Sequence, residues 1–246
     1  MNADLRVGDR IGELLDRCMA AAPDRFRGIR QITIEDPSEI SYKYMTHRPA
    51  AGVMQSPGFL PGFAQLARRG LSFDAAVFHH QLADVSRLAA AFPNTTIVLN
   101  HLGMAMGMEM TASEQADVFN RWREALRALA RHENVTLKVG GLGMPFWGLG
   151  FEQRTDPVGS MELADAWRPY VETGIEAFGA DRCMMESNFP PDGRSCGFVP
   201  LWNALKRITR GCSKDEKSAL FRNTAARVYR IDLASPMPPN TLPKDQ

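Results

Sequence analysis

The run Phe92-Pro-Asn-Thr-Thr-Ile-Val-Leu-Asn-His-Leu-Gly103 decides the fold. Pro93 and Asn94 interrupt a preceding helical pattern, and residues 95–99 then form a short β-branched, apolar stretch without polar alternation. A strand that is apolar on both faces is read as a parallel strand covered by helices and packed into a core. The stretch stops at Asn100 and His101, so an imidazole follows directly on a buried strand.

Similar runs occupy 26–34, 71–78, 135–139 and 182–186, and each switch into or out of them is marked by Gly, Pro or Asn. Between and around them lie helical patterns at 8–21, 58–69, 82–92, 113–131, 161–178, 198–210 and 213–229. The clearest is 113–131, where Val118, Trp122, Ala125, Leu126 and Leu129 form one stripe and Ser113 is expected as the N-cap. The repeating unit is βα, and a stub at 2–6 adds a sixth strand. The expected fold class is α/β, an incomplete (β/α)8 TIM barrel with about six of eight units and the first two strands missing. A doubly wound open sheet is the rival, but the first βα turn has no Gly-x-Gly-x-x-Gly fingerprint. Residues 1–233 are expected to form the barrel domain. Residues 234–246 are expected to be a mobile, proline-rich tail.

With 246 residues, 44% hydrophobic and 23% charged, the chain falls in the ordinary globular range and can bury a sizeable core. A formal net charge of +1, spread along the sequence, gives no footprint for nucleic acid or an anionic membrane and favours a small-molecule partner. Cys18, Cys183, Cys196 and Cys212 contain no Cys-x-x-Cys pair, which suggests neither a zinc cage nor a disulfide framework. No apolar run is long enough to span a membrane and residues 1–6 lack a signal-peptide core, so a cytoplasmic location is expected.

In parallel barrels the chemistry sits at the C-terminal ends of the strands. There this sequence places His79, His80, Asn100, His101, Lys138, Glu186 and Asn188, while Arg30 lies within the first strand. His101 is the foremost candidate, as a metal ligand, as a group that binds or protonates a carbonyl, or as a hydrogen-bonded rim residue. Of the adjacent pair His79 and His80, strand alternation allows only one to point inward, and His79 is chosen. Arg30 offers a fork of donors to a substrate carboxylate, or forms an internal ion pair with Glu186 or Asp192. Lys138 carries the same ambiguity, with a solvated charge as its alternative. The glycine-rich stretch 140–150 lacks the residues of a phosphate loop and reads as an apolar wall carrying Met144, Phe146 and Trp147 to the barrel mouth, which Met104, Met106, Met108 and Met110 could extend. Gly193-Arg194-Ser195-Cys196-Gly197 spells a nucleophile elbow, but loop residues separate Ser195 from the strand and no histidine follows position 132.

Four segments together resemble the amidohydrolase-related family of barrel hydrolases, which includes L-fuconolactonase-like and 2-pyrone-4,6-dicarboxylate-lactonase-like enzymes. They are Phe26-Arg-Gly-Ile-Arg30, the run quoted above, Asn134-Val-Thr-Leu-Lys-Val-Gly-Gly-Leu-Gly-Met144, and Phe178-Gly-Ala-Asp-Arg-Cys-Met-Met-Glu-Ser-Asn-Phe-Pro190. The resemblance implies hydrolysis of a lactone or similar ester-like bond by water activated at the barrel mouth. It matches His101 to the family histidine after the sixth strand, His79 to a polar position after the fifth, and Arg30 to an arginine after the fourth that suits a substrate carboxylate. Full-length members imply a divalent metal, Zn or Mn, in some cases. This chain departs from the pattern twice: it contains no His-x-His, and Ser187-Asn188-Phe189-Pro190 stands where many members carry Ser-Asp-Trp-Pro. An amide cannot act as a general base, so Asp192 or Glu186 is expected to supply the carboxylate. The expected catalytic residues are therefore His101, Asn188 and Asp192, with Arg30, His79, Lys138 and Trp147 binding substrate. A catalytic zinc keeps three protein ligands, and His101 with one of His79, Glu186 or Asp192 falls short, so weak or no metal binding is expected. Two exposed parallel edges would leave the chain marginally stable alone or prompt it to associate, for instance as a homo-oligomer. The rival to an active enzyme is a truncated, non-catalytic remnant of one.

Overall fold

Every apolar run named above becomes a parallel strand, all but 135–139 shorter than the run, in the computed structural model, which describes residues 1–233. In chain order the elements are α1 (Ile11–Ala21), β1 (Gly28–Ile32), α2 (Phe59–Arg68), β2 (Ser72–Ala76), α3 (Leu82–Ala91), β3 (Ile97–Leu99), α4 (Ala112–Leu129), β4 (Val135–Val139), α5 (Ser160–Phe178), β5 (Cys183–Met185), α6 (Phe198–Ile208), α7 (Lys214–Ser218) and α8 (Thr224–Tyr229). A π-turn at Ala219–Asn223 joins α7 to α8. The strands pair in sequence order, β1-β2-β3-β4-β5, as one parallel sheet. The stub at 2–6 is reduced to a single parallel bridge between Asn2 and Arg30, after which a 3₁₀ turn begins at Leu5. The tail at 234–246 lies outside the described residues.

Strand register divides the sheet into two faces of opposite chemistry. Arg30 lies beside Asp74, Asp74 beside Val98, Val98 beside Thr136, and Lys138 beside Met184. Partners in register share a face. The alternate residues, Ile29, Phe73, Ile97, Leu99, Val135, Leu137 and Cys183, are buried on the other face within one continuous apolar core that also takes in α1 to α6. This outer layer drives the fold, because apolar area removed from water is worth about 25 cal/mol per Å². The inner face carries the charges. Beside β1 it stays accessible, and Ile32 is 44% exposed.

One helix start differs from expectation. Thr111, not Ser113, caps α4: its hydroxyl accepts from the Glu114 amide, while the Glu114 carboxylate accepts from the Thr111 amide at 2.8 Å. Thr-x-x-Glu forms this reciprocal box, whereas the residue three beyond Ser113 is Ala116, which has nothing to return.

Candidate active site

His101 sits at the C-terminal end of β3 in an unusual turn. His101, Leu102, Gly103 and Met104 all have positive φ, at 53°, 56°, 68° and 31°. For non-glycine residues this conformation costs on the order of 1 kcal/mol or more each, and it persists only where surrounding structure imposes it. The turn aims the imidazole at two partners. Nδ1 lies 2.5 Å from Glu186 Oε1, just beyond β5, and Nε2 lies 3.1 Å from Arg30 Nη2 on β1. A guanidinium can only donate, so Nε2 accepts, the ring proton resides on Nδ1, and Nδ1 donates to Glu186. Burial alone would raise the Glu186 carboxyl, but its electrostatic pairing and hydrogen bond with His101, then Lys138 and Arg30, outweigh it and hold the group below the usual carboxylate range.

Beside this chain lies a second carboxyl in the opposite electrostatic state. Asp192 is fully buried, and burial pushes its pKa up to about 6, against opposing hydrogen bonds from the Gly143 amide at 3.0 Å and Asn188 Nδ2 at 2.7 Å. Asn188 adopts a left-handed backbone, which asparagine tolerates better than most residues. The glycine-rich loop after β4 runs beneath the imidazole. A Cβ on Gly141, at φ +71°, would lie 2.7 Å from His101 Cβ and 2.8 Å from its Nδ1, so glycine is required there.

Lys138 is neither solvated nor part of this chain. Its ammonium pairs with Asp74 at 2.6 Å, and the Tyr229 hydroxyl donates to the same carboxylate at 3.1 Å. Burial and then the Asp74 charge raise the Tyr229 phenol well above its ordinary value. Arg30 forms neither of the ion pairs weighed for it, because His101 takes its Nη2.

His79 and His80 lie in a 3₁₀ turn beyond β2, so strand alternation does not choose between them. Gln81 folds this turn by accepting from the Phe78 amide and donating to the Thr33 carbonyl. His79 Nδ1 accepts from the Met106 amide at 3.3 Å, and burial, then the charges of His80 and Arg121, push its pKa down to about 4. His79 thus faces the methionine segment, in which Met104, Met106 and Met108 are buried. Trp147 is buried too, its ring edge-on to Tyr170 at 4.9 Å and Trp122 at 6.4 Å, and its Nε1 donates to the Gly141 carbonyl. Its ring faces helices α4 and α5 instead of the mouth. Ser195 follows a 3₁₀ turn and not a strand, so the elbow spelling has no elbow geometry.

Arg30, from the middle of β1, thus meets His101, Glu186, Asn188 and Asp192 at the C-terminal ends of β3 and β5. Asp74 and Tyr229 escaped the sequence reading; only register, setting Asp74 beside Arg30, reveals the first. Asn100 is fully buried with both amide atoms unpartnered. A cavity of about 950 Å³ opens at the N-terminal ends of β1 and β2 and is lined in part by Arg30, Asp74 and Tyr229. It follows from the accessible inner face beside β1 and does not mark the cluster around His101.

A parallel βα sheet with a histidine and carboxylates gathered at its C-terminal rim defines a barrel hydrolase architecture, and comparison with known proteins agrees. The chain belongs to the amidohydrolase family, whose model matches residues 12–231. A Sinorhizobium fredii protein of unassigned function, y4mH, is 38% identical over 93% of this chain and 68% of its own. An L-fucono-1,5-lactonase of Burkholderia multivorans is 30% identical over 70% of this chain and 56% of its own length. Among solved structures, a Burkholderia multivorans amidohydrolase superposes with a TM-score of 0.72 at 24% identity, covering 93% of this chain and 71% of that one. The same relative in another crystal form carries bound zinc, with a TM-score of 0.63 at 22% identity over 91% and 80% of the two chains. These structural likenesses show the fold.

Zinc does not fit the residues present here. Both nitrogens of His101 are engaged, and a guanidinium stands 3.1 Å from Nε2, where a dication would have to bind. Among the described residues no group of three or more His, Cys, Asp or Glu side chains is placed to hold a metal ion.

Proposed function

We propose that the protein hydrolyses a lactone or a similar cyclic ester, and that the Glu186–His101–Arg30 chain carries the reaction. A carbonyl oxygen that accepts from Arg30 Nη2 takes the place of His101 Nε2 and frees that lone pair. Water then attacks the carbonyl carbon as its proton passes to Nε2, and Arg30 holds the resulting oxyanion. Glu186 stabilises the imidazolium through Nδ1, as the carboxylate does in a hydrolytic triad. Collapse of the tetrahedral intermediate breaks the ring C–O bond, and the Nε2 proton passes to the departing alkoxide, leaving a hydroxy acid. Asn188 and Asp192 flank this path and fix the loop at Gly143.

Incubation of the purified chain with five- and six-membered lactones, L-fucono-1,5-lactone among them, in a pH-indicator assay tests this reading. Turnover is expected, falling by about 10² or more in His101→Asn and Glu186→Gln and unaffected by a chelator. Equal rates in His101→Asn and the parent would sink it. The Arg30–His101 bond also favours a non-catalytic reading, since it satisfies the imidazole internally; absence of turnover on every lactone would support that alternative.

A further inference from the structure

The turn at 101–104 holds three non-glycine residues at positive φ, and two buried indoles donate to backbone carbonyls in it and beneath it. Trp122, on α4, donates from Nε1 to the Leu102 carbonyl at 2.7 Å. Trp147, in the loop after β4, donates from Nε1 to the Gly141 carbonyl at 2.9 Å, and Gly141 is the residue packed beneath the His101 ring. The two indoles stand edge-on to each other and share Tyr170 as a neighbour. One indole therefore grips the backbone just after His101, and the other grips the floor under it.

We infer that Trp122 and Trp147 are positioning residues that hold His101 in its left-handed turn, with Nδ1 on Glu186 and Nε2 turned to Arg30. The inference rests on the hydrolytic role proposed for His101, but its geometry is open to measurement without any substrate. Neither indole touches the reacting atoms; each acts through a backbone carbonyl. A shift of about 1 Å in a catalytic group costs on the order of 10² in rate, so loss of one grip is felt as kcat.

Trp122→Phe and Trp147→Phe keep a ring in the core and remove the N–H. Trp167→Phe is the control, because Trp167 is equally buried and its Nε1 has no partner. In nitrogen-proton NMR of the 246-residue chain, the parent and Trp167→Phe are expected to show a His101 Nδ1 proton that is strongly deshielded and slow to exchange. Trp122→Phe and Trp147→Phe are expected to lose it, and to lower kcat on the best lactone by about tenfold to a hundredfold with KM within about twofold. If both variants keep the Nδ1 signal, or if Trp167→Phe loses it equally, the inference is overturned whatever the activity. If the signal is lost in both variants while the parent hydrolyses no lactone, the positioning stands and the hydrolase reading falls. Should Trp122→Phe not fold, Trp147→Phe alone decides by the same signal.

Discussion

Two polar clusters share the inner face of one sheet and are built on different principles. Around Asp74, Lys138 and Tyr229, an ammonium and a phenol satisfy one carboxylate, and burial and then the Asp74 charge push the phenol further above its ordinary value. Around His101, by contrast, Arg30, Glu186 and Asp192 surround a ring with one proton and two places to put it, and one carboxyl has a pKa of about 6. The first cluster is closed on one carboxylate. The second holds a carboxyl whose pKa is raised to about 6, and it lies at the strand ends where barrel chemistry sits. Charge on an inner sheet face therefore serves two ends here.

The sharpest way to break this contrast is to remove one partner from the static pair. Lys138→Met leaves Asp74 largely buried without its cation, an arrangement that costs about 3 kcal/mol, the low end for buried pairs because each side chain keeps some exposure. Asp74→Asn with Lys138→Met removes both charges and is expected to recover most of that loss. Urea midpoints of the two variants measure it. A single variant as stable as the parent would show that the pair is not structural.

A second effect, of similar size but dependent on pH, sets Asp192 against His79. The folded-state pKa of Asp192 is raised from 3.8 to about 6, so between those values the folded chain holds a proton that the unfolded chain has lost. Stability then falls as pH rises through this window, by about 3 kcal/mol in all. His79 is depressed from 6.5 to about 4, so the folded chain lacks a proton there, and stability falls as pH drops, by about the same amount. Glu186 is lowered as well, so its contribution is lost only below the ordinary glutamate range. The two slopes nearly cancel between pH 4 and 6 in the parent. Asp192→Asn is expected to leave stability rising with pH across the window, and His79→Asn to leave it falling. Chemical denaturation at pH 4.5, 5.5 and 6.5 reads the sign; parallel profiles for parent and Asp192→Asn would contradict it.

The five strands were legible because the outer layer writes itself as short apolar runs, with the β-branched residues 95–99 the plainest. His101 was legible because it follows directly on such a run, and Arg30 because it is a charge inside one. What joins them was not. A left-handed turn through His101 and Leu102 has no glycine or asparagine at those positions to announce it. Asp74 within Ser-Phe-Asp-Ala-Ala is one acid in a short strand, and its meaning arises only when pairing sets it beside Arg30 and across from Lys138. Trp147 read as a wall of the mouth because a glycine-rich loop does not reveal which way its side chains turn; tertiary hydrogen bonding to Gly141 settles that.

The smallest expected effect sharpens the account of the static cluster. Tyr229 ends α8, far in sequence from Asp74, and its hydroxyl is 3.1 Å from both carboxylate oxygens while Lys138 Nζ approaches one of them. If the cluster is structural, the phenol serves as a second donor that lowers the cost of burying the carboxylate, and its removal leaves the ion pair intact. A hydrogen bond to a charged group is worth about 1.5–3 kcal/mol, and the remaining lysine contact keeps the loss at the bottom of that range. Tyr229→Phe is therefore expected to cost about 1.5 kcal/mol, roughly half the effect of Lys138→Met. In the Lys138→Met background the same change should cost more, because Asp74 then loses its last partner; a double-mutant cycle reads the coupling. Strict additivity would mean that the phenol and the ammonium act on Asp74 independently, and the three residues would then be two separate contacts and not one cluster.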